Sequence, residues 1–465
     1  MKQFRWMRCV LALLLVCAVT LSLPMGAKAA AESDNRFNVV IVLDASGSMK
    51  DTDPNGYRYE AISQFTGLLA ERGNVLGGVV FHTQLAAEKV LTPINGQADK
   101  DAITDALESV PANNGWTNTG AGLDRAVQMI QEKADPSLPS VIVFLSDGNT
   151  ELSNEEDTQA SLDLKADAIQ AAREEGIRIY SICLNADKSA DVSEMRQISD
   201  ATGGEFQEVT KAEDLQAVFN AFYNLIYGTS TITLVDDKFG SNGRLETTFE
   251  VPGIGVEEVN IIIYGNTTKL ELLRPDGTKS PSTAVVSDTF TMLKLTDVVP
   301  GKWTLISEGV PGDSIKINMV YNTNLGVELK FGSGGQVVTP EDTVTITAQL
   351  KGNNQLATSG DQYLGYSAQL QVFDAYGELL RTIPMEVVGD RFEVKQTFAE
   401  GTYFYKALIK GNYIEKESAK IGPLVSAKKE VVEEVKKNSA PVPVKEVVER
   451  VLRSGPSRAA AWNWI

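Results

Sequence analysis

Residues 36–228 alternate short, fully apolar segments with segments whose apolar side chains repeat at helical spacing. The segment 39–43 is apolar at every position, which is typical of a strand covered on both faces of a sheet. Similar segments follow at 75–81, 141–145 and 177–183, and helical periodicity separates them. Strand–helix alternation of this kind predicts an α/β domain with a parallel, doubly wound sheet.

After Gly228 the apolar period changes to two, which predicts strands with one buried face. In the segment 315–321, for example, apolar residues alternate with Lys316 and other residues, and turn signals separate such segments. We therefore predict two all-β sandwich domains, the first at 230–325 and the second, Ig-like, at 326–425.

The two ends of the chain carry signals for transport and attachment. Residues 1–31 are in turn basic, apolar and small, which predicts a cleaved signal peptide and a secreted, extracytoplasmic or cell-surface protein. Residues 426–465 form a charged stalk or tail, in which Trp462 and Trp464 follow a basic segment, as at the interfacial start of a membrane helix. Membrane attachment is therefore expected if the sequence continues beyond Ile465.

Composition excludes several classes of function. The formal net charge of −18 becomes −22 after cleavage, because residues 1–31 contain four basic residues and no acidic one. Nucleic-acid binding needs clustered Lys and Arg, so this acidic chain is not expected to bind nucleic acid. His82 is the only histidine, which excludes a His-Glu-x-x-His zinc protease. The sequence has no glycine-rich phosphate loop, so nothing in it indicates an NTPase. We expect no enzymatic activity.

The motif that carries chemistry follows the first predicted strand, as Asp44-Ala45-Ser46-Gly47-Ser48. Ligands of doubly wound sheets bind at the carboxyl ends of strands, where the strand order switches. A carboxylate and two hydroxyls on alternate residues of this loop can face one point. Two further segments have the same context: Thr117 precedes a predicted helix, and Asp147 follows the predicted strand 141–145.

In these three segments the sequence resembles the von Willebrand factor A family, which has a metal-ion-dependent adhesion site. By position, the resemblance assigns the metal-binding roles to five residues: Asp44, Ser46, Ser48, Thr117 and Asp147. It implies a Mg²⁺ ion, with Mn²⁺ or Ca²⁺ as alternatives, held by the oxygen ligands that hard cations prefer. It also implies a binding or adhesion function in which the ion takes an Asp or Glu carboxylate of a protein partner.

Several alternatives stay open at this point. Thr119 competes with Thr117 for the threonine role, and Trp116 is a candidate partner-binding residue for which packing is an equal explanation. A group of acids after Asp147 either begins a solvated helix or borders the site, where it would raise cation affinity and repel acidic partners. These acids are Glu151, Glu155, Glu156 and Asp157. The alternative function is a structural or assembly component of a cell-envelope complex, in which the metal only stabilises the domain.

Overall fold

The structure is a computed structural model of the chain, and it describes residues 35–432 apart from 114, 332–336, 354 and 431. The predicted signal peptide and almost all of the predicted stalk lie outside the described residues. Within the described ranges, no helix combines the length and the apolar character needed to cross a membrane.

An α/β region comes first. Its strands are β1 (Asn38–Asp44), β2 (Val75–Phe81), β3 (Leu85–Pro93), β4 (Ser140–Ser146), β5 (Arg178–Leu184) and β6 (Phe206–Val209). Its helices are α1 (Met49–Thr52), α2 (Tyr57–Leu68), α3 (Gln97–Glu108), α4 (Thr119–Lys133), α5 (Glu155–Glu174), α6 (Val192–Thr202) and α7 (Leu215–Tyr227). The strand order is β3-β2-β1-β4-β5-β6. All neighbouring strands are parallel except the pair formed by β3 and β2.

The central strand β1 explains why this region is doubly wound. All seven of its residues are buried, and alternate side chains enter two different apolar layers. Ile41 packs in the layer that contains residues of α2 and α7, whereas Val42 packs in the layer with residues of α4. The predicted α/β fold is confirmed, and the uninterrupted apolar sequence follows from burial on both faces. Because β2 and β4 flank β1, the strand order switches there, at the carboxyl ends of β1 and β4.

A β-rich region follows, as the period-two pattern predicts. Its first strands are β7 (Thr231–Lys238), β8 (Arg244–Val251), β9 (Val256–Tyr264), β10 (Lys269–Leu273), β11 (Thr283–Val286), β12 (Phe290–Leu295), β13 (Gly301–Glu308) and β14 (Ser314–Thr323). They form a three-stranded sheet, β10-β13-β8, and a five-stranded sheet, β11-β12-β9-β14-β7.

The second part of this region contains a further set of strands. They are β15 (Gly326–Phe331), β16 (Val337–Val338), β17 (Val344–Gly352), β18 (Gln355–Leu356), β19 (Tyr366–Phe373), β20 (Leu379–Val388), β21 (Arg391–Gln396), β22 (Gly401–Gly411), β23 (Glu415–Glu417) and β24 (Ile421–Ser426). Strand β20 pairs first with β19 and then with β21, and thereby joins two halves of one hydrogen-bonded sheet. A single apolar core extends from Phe239 to Leu424, so the two parts share one core.

The middle strands of the five-stranded sheet, β9, β12 and β14, are buried on both faces. On β14, Ile317 and Met319 face the β core, as the alternation predicts, but Asn318 and Val320 on the opposite face are buried as well. Val320 belongs to the apolar layer that contains residues of α2 and α7. The α/β region and the five-stranded sheet therefore share an extensive interface.

Polar contacts in this interface cap the end of α2, where helix carbonyls lack partners within the helix. Lys294 Nζ donates to the Gly67 carbonyl at 2.5 Å and to Glu258 Oε1 at 2.7 Å. Asn322 Nδ2 donates to the Leu68 carbonyl at 2.9 Å. We call this group of residues from the sheet and the end of α2 the domain joint.

Candidate metal centre

The loop after β1 fixes the first predicted ligand. The Asp44 side chain is buried and accepts hydrogen bonds from the Ser46 backbone N–H at 2.7 Å and from the Ser146 hydroxyl at 2.5 Å. The Gly47 N–H donates to the Gly115 carbonyl at 3.0 Å and so ties this loop to the segment before α4. The carboxylate therefore has a fixed position at the end of the central strand.

Hydroxyl groups connect Asp44 to the second carboxylate. The hydroxyl oxygens of Ser46 and Ser48 lie 3.2 Å apart, and the Ser48 hydroxyl donates to Asp147 Oδ1 at 2.8 Å. The Thr52 hydroxyl donates to the other carboxylate oxygen of Asp147. Oxygen atoms from the loops after β1 and β4 thus form one continuous group.

Thr117 enters the same group from the segment before α4. An added Cβ atom at Gly148 would lie 3.7 Å from both the Ser48 and the Thr117 hydroxyl oxygens, so these two hydroxyls border the same small space. The Thr117 backbone also exchanges two hydrogen bonds with Glu151, at 2.9 and 3.0 Å. The structure therefore brings all five predicted residues together, although they come from three separate loops.

The alternative threonine lies elsewhere. Thr119 is buried, and its hydroxyl is hydrogen-bonded to the Thr150 hydroxyl, which also contacts Lys165 and Glu194. It belongs to a buried polar cluster between α5 and α6, outside the group of five. Trp116, by contrast, is 43% exposed.

The four acids after Asp147 fall into two groups. Glu155, Glu156 and Asp157 form the exposed first turn of α5, where acids favour the helix N-terminus. This matches the interpretation as a solvated helix start. Glu151 is different, because its backbone is paired with Thr117 beside the group of five.

The electrostatics of the site indicate a place for a cation. Burial, and then the charge of Asp44, raises the pKa of Asp147 to about 7. Burial likewise raises the pKa of Asp44, although hydrogen bonds from Ser146 and Ser46 oppose the shift. Two neighbouring buried carboxylates repel each other, and a divalent cation between them would favour the charged form of both.

The donor set fits such a cation. It consists of two carboxylates and three hydroxyls, which are all oxygen donors, as Mg²⁺, Mn²⁺ and Ca²⁺ prefer. Within the part of the chain that the structure describes, no three or more His, Cys, Asp or Glu side chains cluster as metal ligands. The group of five therefore differs from a carboxylate-rich or thiolate site by its high share of hydroxyls.

Two supporting residues were not assigned from the sequence. Ser146 holds Asp44, and Thr52 holds Asp147. Ser48 directly precedes the short helix α1, and Thr52 is its last residue. The spacing of four residues could have indicated that both side chains lie on the same side of this helix. Ser146 gave no comparable signal, because a serine at a strand end is common.

Comparison with known proteins gives the class of the α/β region. The family model of the von Willebrand factor type A domain matches residues 38–221. Mouse calcium-activated chloride channel regulator 1 is 28% identical over 205 residues, which are 44% of this chain and 20% of that protein. A UPF0353 protein of Mycolicibacterium gilvum (strain PYR-GCK) is 28% identical over 208 residues, 40% of this chain and 59% of that protein.

A solved structure, described as von Willebrand factor type A from Catenulispora acidiphila, aligns with 77% of this chain and 66% of that chain. Its identity is 15% and its TM-score 0.35. The α/β region is a von Willebrand factor type A (VWA) domain, as predicted. The chain spans about a fifth of the length of the chloride channel regulators that it matches.

Proposed function

We propose that this chain binds one divalent cation, Mg²⁺ in the first place, through Asp44, Ser46, Ser48, Thr117 and Asp147. The bound ion would take a carboxylate oxygen of a protein partner at an open coordination position. The observation that supports this proposal most is the connected group of contacts between the two buried carboxylates: the Ser46 N–H donates to Asp44, the Ser46 and Ser48 hydroxyls are neighbours, and the Ser48 hydroxyl donates to Asp147.

The donor residues are buried on one side of the site and exposed on the other. Asp44, Ser46 and Asp147 are buried, whereas Ser48 is exposed and Gly148 is half-buried. An ion held here would be enclosed on the protein side and reachable from solvent on the other. Mg²⁺ takes six oxygen ligands and usually keeps several waters, one of which a partner carboxylate can replace.

Trp116 would add apolar contact area to this binding surface. It directly precedes Thr117, and its backbone N–H is held by the Thr83 hydroxyl at 2.9 Å. Aromatic side chains at the centre of an interface often contribute much of the binding energy. Because residues 1–31 have the features of a signal peptide, we place this binding outside the cytoplasm, at the cell surface.

Replacing Asp147 with alanine is expected to lower the affinity for Mg²⁺ at least tenfold, because the variant loses one of two carboxylates in the site. Calorimetric titration of the full chain with Mg²⁺ measures this directly. The matched control is Asp105→Ala, which removes an exposed aspartate of α3 that is not one of the five proposed ligands. Equal Mg²⁺ affinity of all three proteins would contradict the proposed site.

The structural alternative makes a different prediction for the same proteins. If the ion only stabilises the VWA domain, Mg²⁺ raises the unfolding temperature, but carboxylate-bearing partners bind equally well with and without the ion, as long as the domain stays folded. Partner capture in Mg²⁺ and in EDTA, at a temperature where both forms are folded, separates the two functions. We propose the binding function, because the open side of the site serves no purpose for stability alone.

A further inference from the structure

Glu151 has a position at the candidate metal centre that the other acids near Asp147 do not share. Its N–H donates to the Thr117 carbonyl at 3.0 Å, and the Thr117 N–H donates to the Glu151 carbonyl at 2.9 Å. This is an antiparallel bridge, in which opposite side chains project to the same side with Cβ atoms about 5.5 Å apart. The Glu151 side chain therefore extends from the same side as the Thr117 hydroxyl, which faces the proposed ion.

The carboxylate of Glu151 is available to a partner. The residue is exposed, and within the described residues its side chain takes part in no hydrogen bond or ion pair. Its backbone is nevertheless fixed by the two bonds to Thr117, so the negative charge stays close to the site.

We propose that Glu151 selects partners in which the metal-binding carboxylate is accompanied by a basic side chain. This inference rests on the proposed function, because it concerns the partner of the same site. It names the partner's chemistry: an Asp or Glu with a Lys or Arg close to it on the partner surface.

The charges at the site explain why Glu151 would select such partners. A divalent cation is balanced by the ionised carboxylates of Asp44 and Asp147, and Glu151 then makes the site negative. A partner that brings only a carboxylate adds a second uncompensated negative charge beside Glu151. A basic side chain next to that carboxylate pairs with Glu151 instead and removes the repulsion.

The exposed first turn of α5 reinforces this preference at longer range. Glu155, Glu156 and Asp157 add three exposed negative charges on the chain segment that follows Glu151. Their effect is screened by salt because they are solvated, whereas Glu151 is held beside Thr117 by two backbone hydrogen bonds and acts over a shorter distance. The two contributions can therefore be separated by substitution and by ionic strength.

The test uses the full chain and two immobilised peptides with one aspartate each: acetyl-Gly-Ser-Asp-Ser-Gly and acetyl-Gly-Lys-Asp-Lys-Gly, both coupled through the C-terminus. Surface plasmon resonance in Mg²⁺ and in EDTA gives the cation-dependent affinity for each. We expect the wild-type chain to prefer the lysine peptide about tenfold, and Glu151→Gln to lose most of this preference. Glu155→Gln is the matched control, because it removes an exposed acid that is not paired with Thr117, and it should keep most of the preference.

Each outcome decides the matter. Equal binding of both peptides by the wild-type chain, or an undiminished preference in Glu151→Gln, would overturn the role of Glu151 and leave the proposed function intact. If neither peptide binds in Mg²⁺ although calorimetry shows the ion bound, the proposed function fails together with the inference. Because Glu151 is exposed, circular dichroism should show the same fold for both variants.

Discussion

Replacing Lys294 with methionine is expected to lower the free energy of unfolding by about 3–5 kcal/mol, because the buried carboxylate of Glu258 would lose the cation that contacts it. The side chains of this pair are 0% and 3% exposed, and their charged atoms lie 2.7 Å apart. The Gly67 carbonyl keeps a donor in the variant, since Lys100 Nζ also contacts it at 3.3 Å. The loss therefore reports mainly on the broken pair with Glu258. Urea denaturation of the full chain measures it.

Two further variants show whether the buried charge is the cause. Lys302→Met removes an exposed lysine of β13 and should change stability by less than about 0.5 kcal/mol. The double variant Lys294→Met/Glu258→Gln removes the charges of both members of the pair and should regain part of the loss. If Lys294→Met were no more destabilising than Lys302→Met, the domain joint would not contribute to stability as described.

The domain joint also bears on how the VWA domain is held. The Tyr223 hydroxyl of α7 donates to the Leu68 carbonyl at 2.9 Å, and the Tyr227 hydroxyl donates to Asn74 Oδ1 at 3.0 Å. Both tyrosines are buried. The Tyr223 hydroxyl is also hydrogen-bonded to Asn322 of β14, so α2 and α7 both contact the five-stranded sheet. At its other end, α2 begins just after the segment with Thr52, whose hydroxyl holds Asp147. The segment that holds Asp147 thus leads into a helix whose far end is fixed in the joint.

The sequence predicted most of the VWA domain because its signals are local. Fully apolar segments marked β1, β2, β4 and β5, and the motif after β1 located the first three site residues. Strand β3 was not predicted, because its residues are mostly half-buried or exposed and follow neither the strand period nor the helix period clearly. An edge strand needs only one covered face and one neighbour, so its sequence is less constrained.

The domain joint could not be predicted, because its contacts join residues that are far apart in the sequence. Lys294 and Glu258 are charged, and charged side chains are normally exposed unless they are paired. Their burial depends on Gly67 and Leu68, which lie about two hundred residues earlier in the chain. The period-two pattern of β14 likewise indicated one buried face, since a sequence does not show which sheet face a second domain covers.

Glu151 illustrates the same limit at the site. In the sequence it is one of four acids that follow Asp147, and nothing separates it from Glu155 or Glu156. Only its hydrogen bonds to Thr117, which lies 34 residues away by the residue numbers, place it beside the metal centre. Motifs locate ligands that the fold family shares, whereas the residues around them are assigned by contacts.

The affinity for Mg²⁺ is expected to fall about tenfold for each pH unit below 7, and about a hundredfold between pH 8 and pH 5. The reason is the pKa of Asp147, which burial and the charge of Asp44 raise to about 7 in the ion-free protein. Below this pH the ion must displace a proton, because a carboxylate ligand has to be ionised. Calorimetry in two buffers of different ionisation enthalpy should show about one proton released per ion at pH 6 and few at pH 8.

The same shift fixes the sign of a stability effect. The folded, ion-free protein keeps a proton on Asp147 that the unfolded chain, with the usual pKa of 3.8, has already released. Stability without the ion should therefore fall as pH rises from about 4 to 7, and Mg²⁺ should restore it at the upper end. Thr52→Val removes a hydrogen bond that lowers this pKa, so both profiles should move to higher pH. A Mg²⁺ affinity that stays constant from pH 5 to pH 8 would mean that Asp147 does not bind the ion.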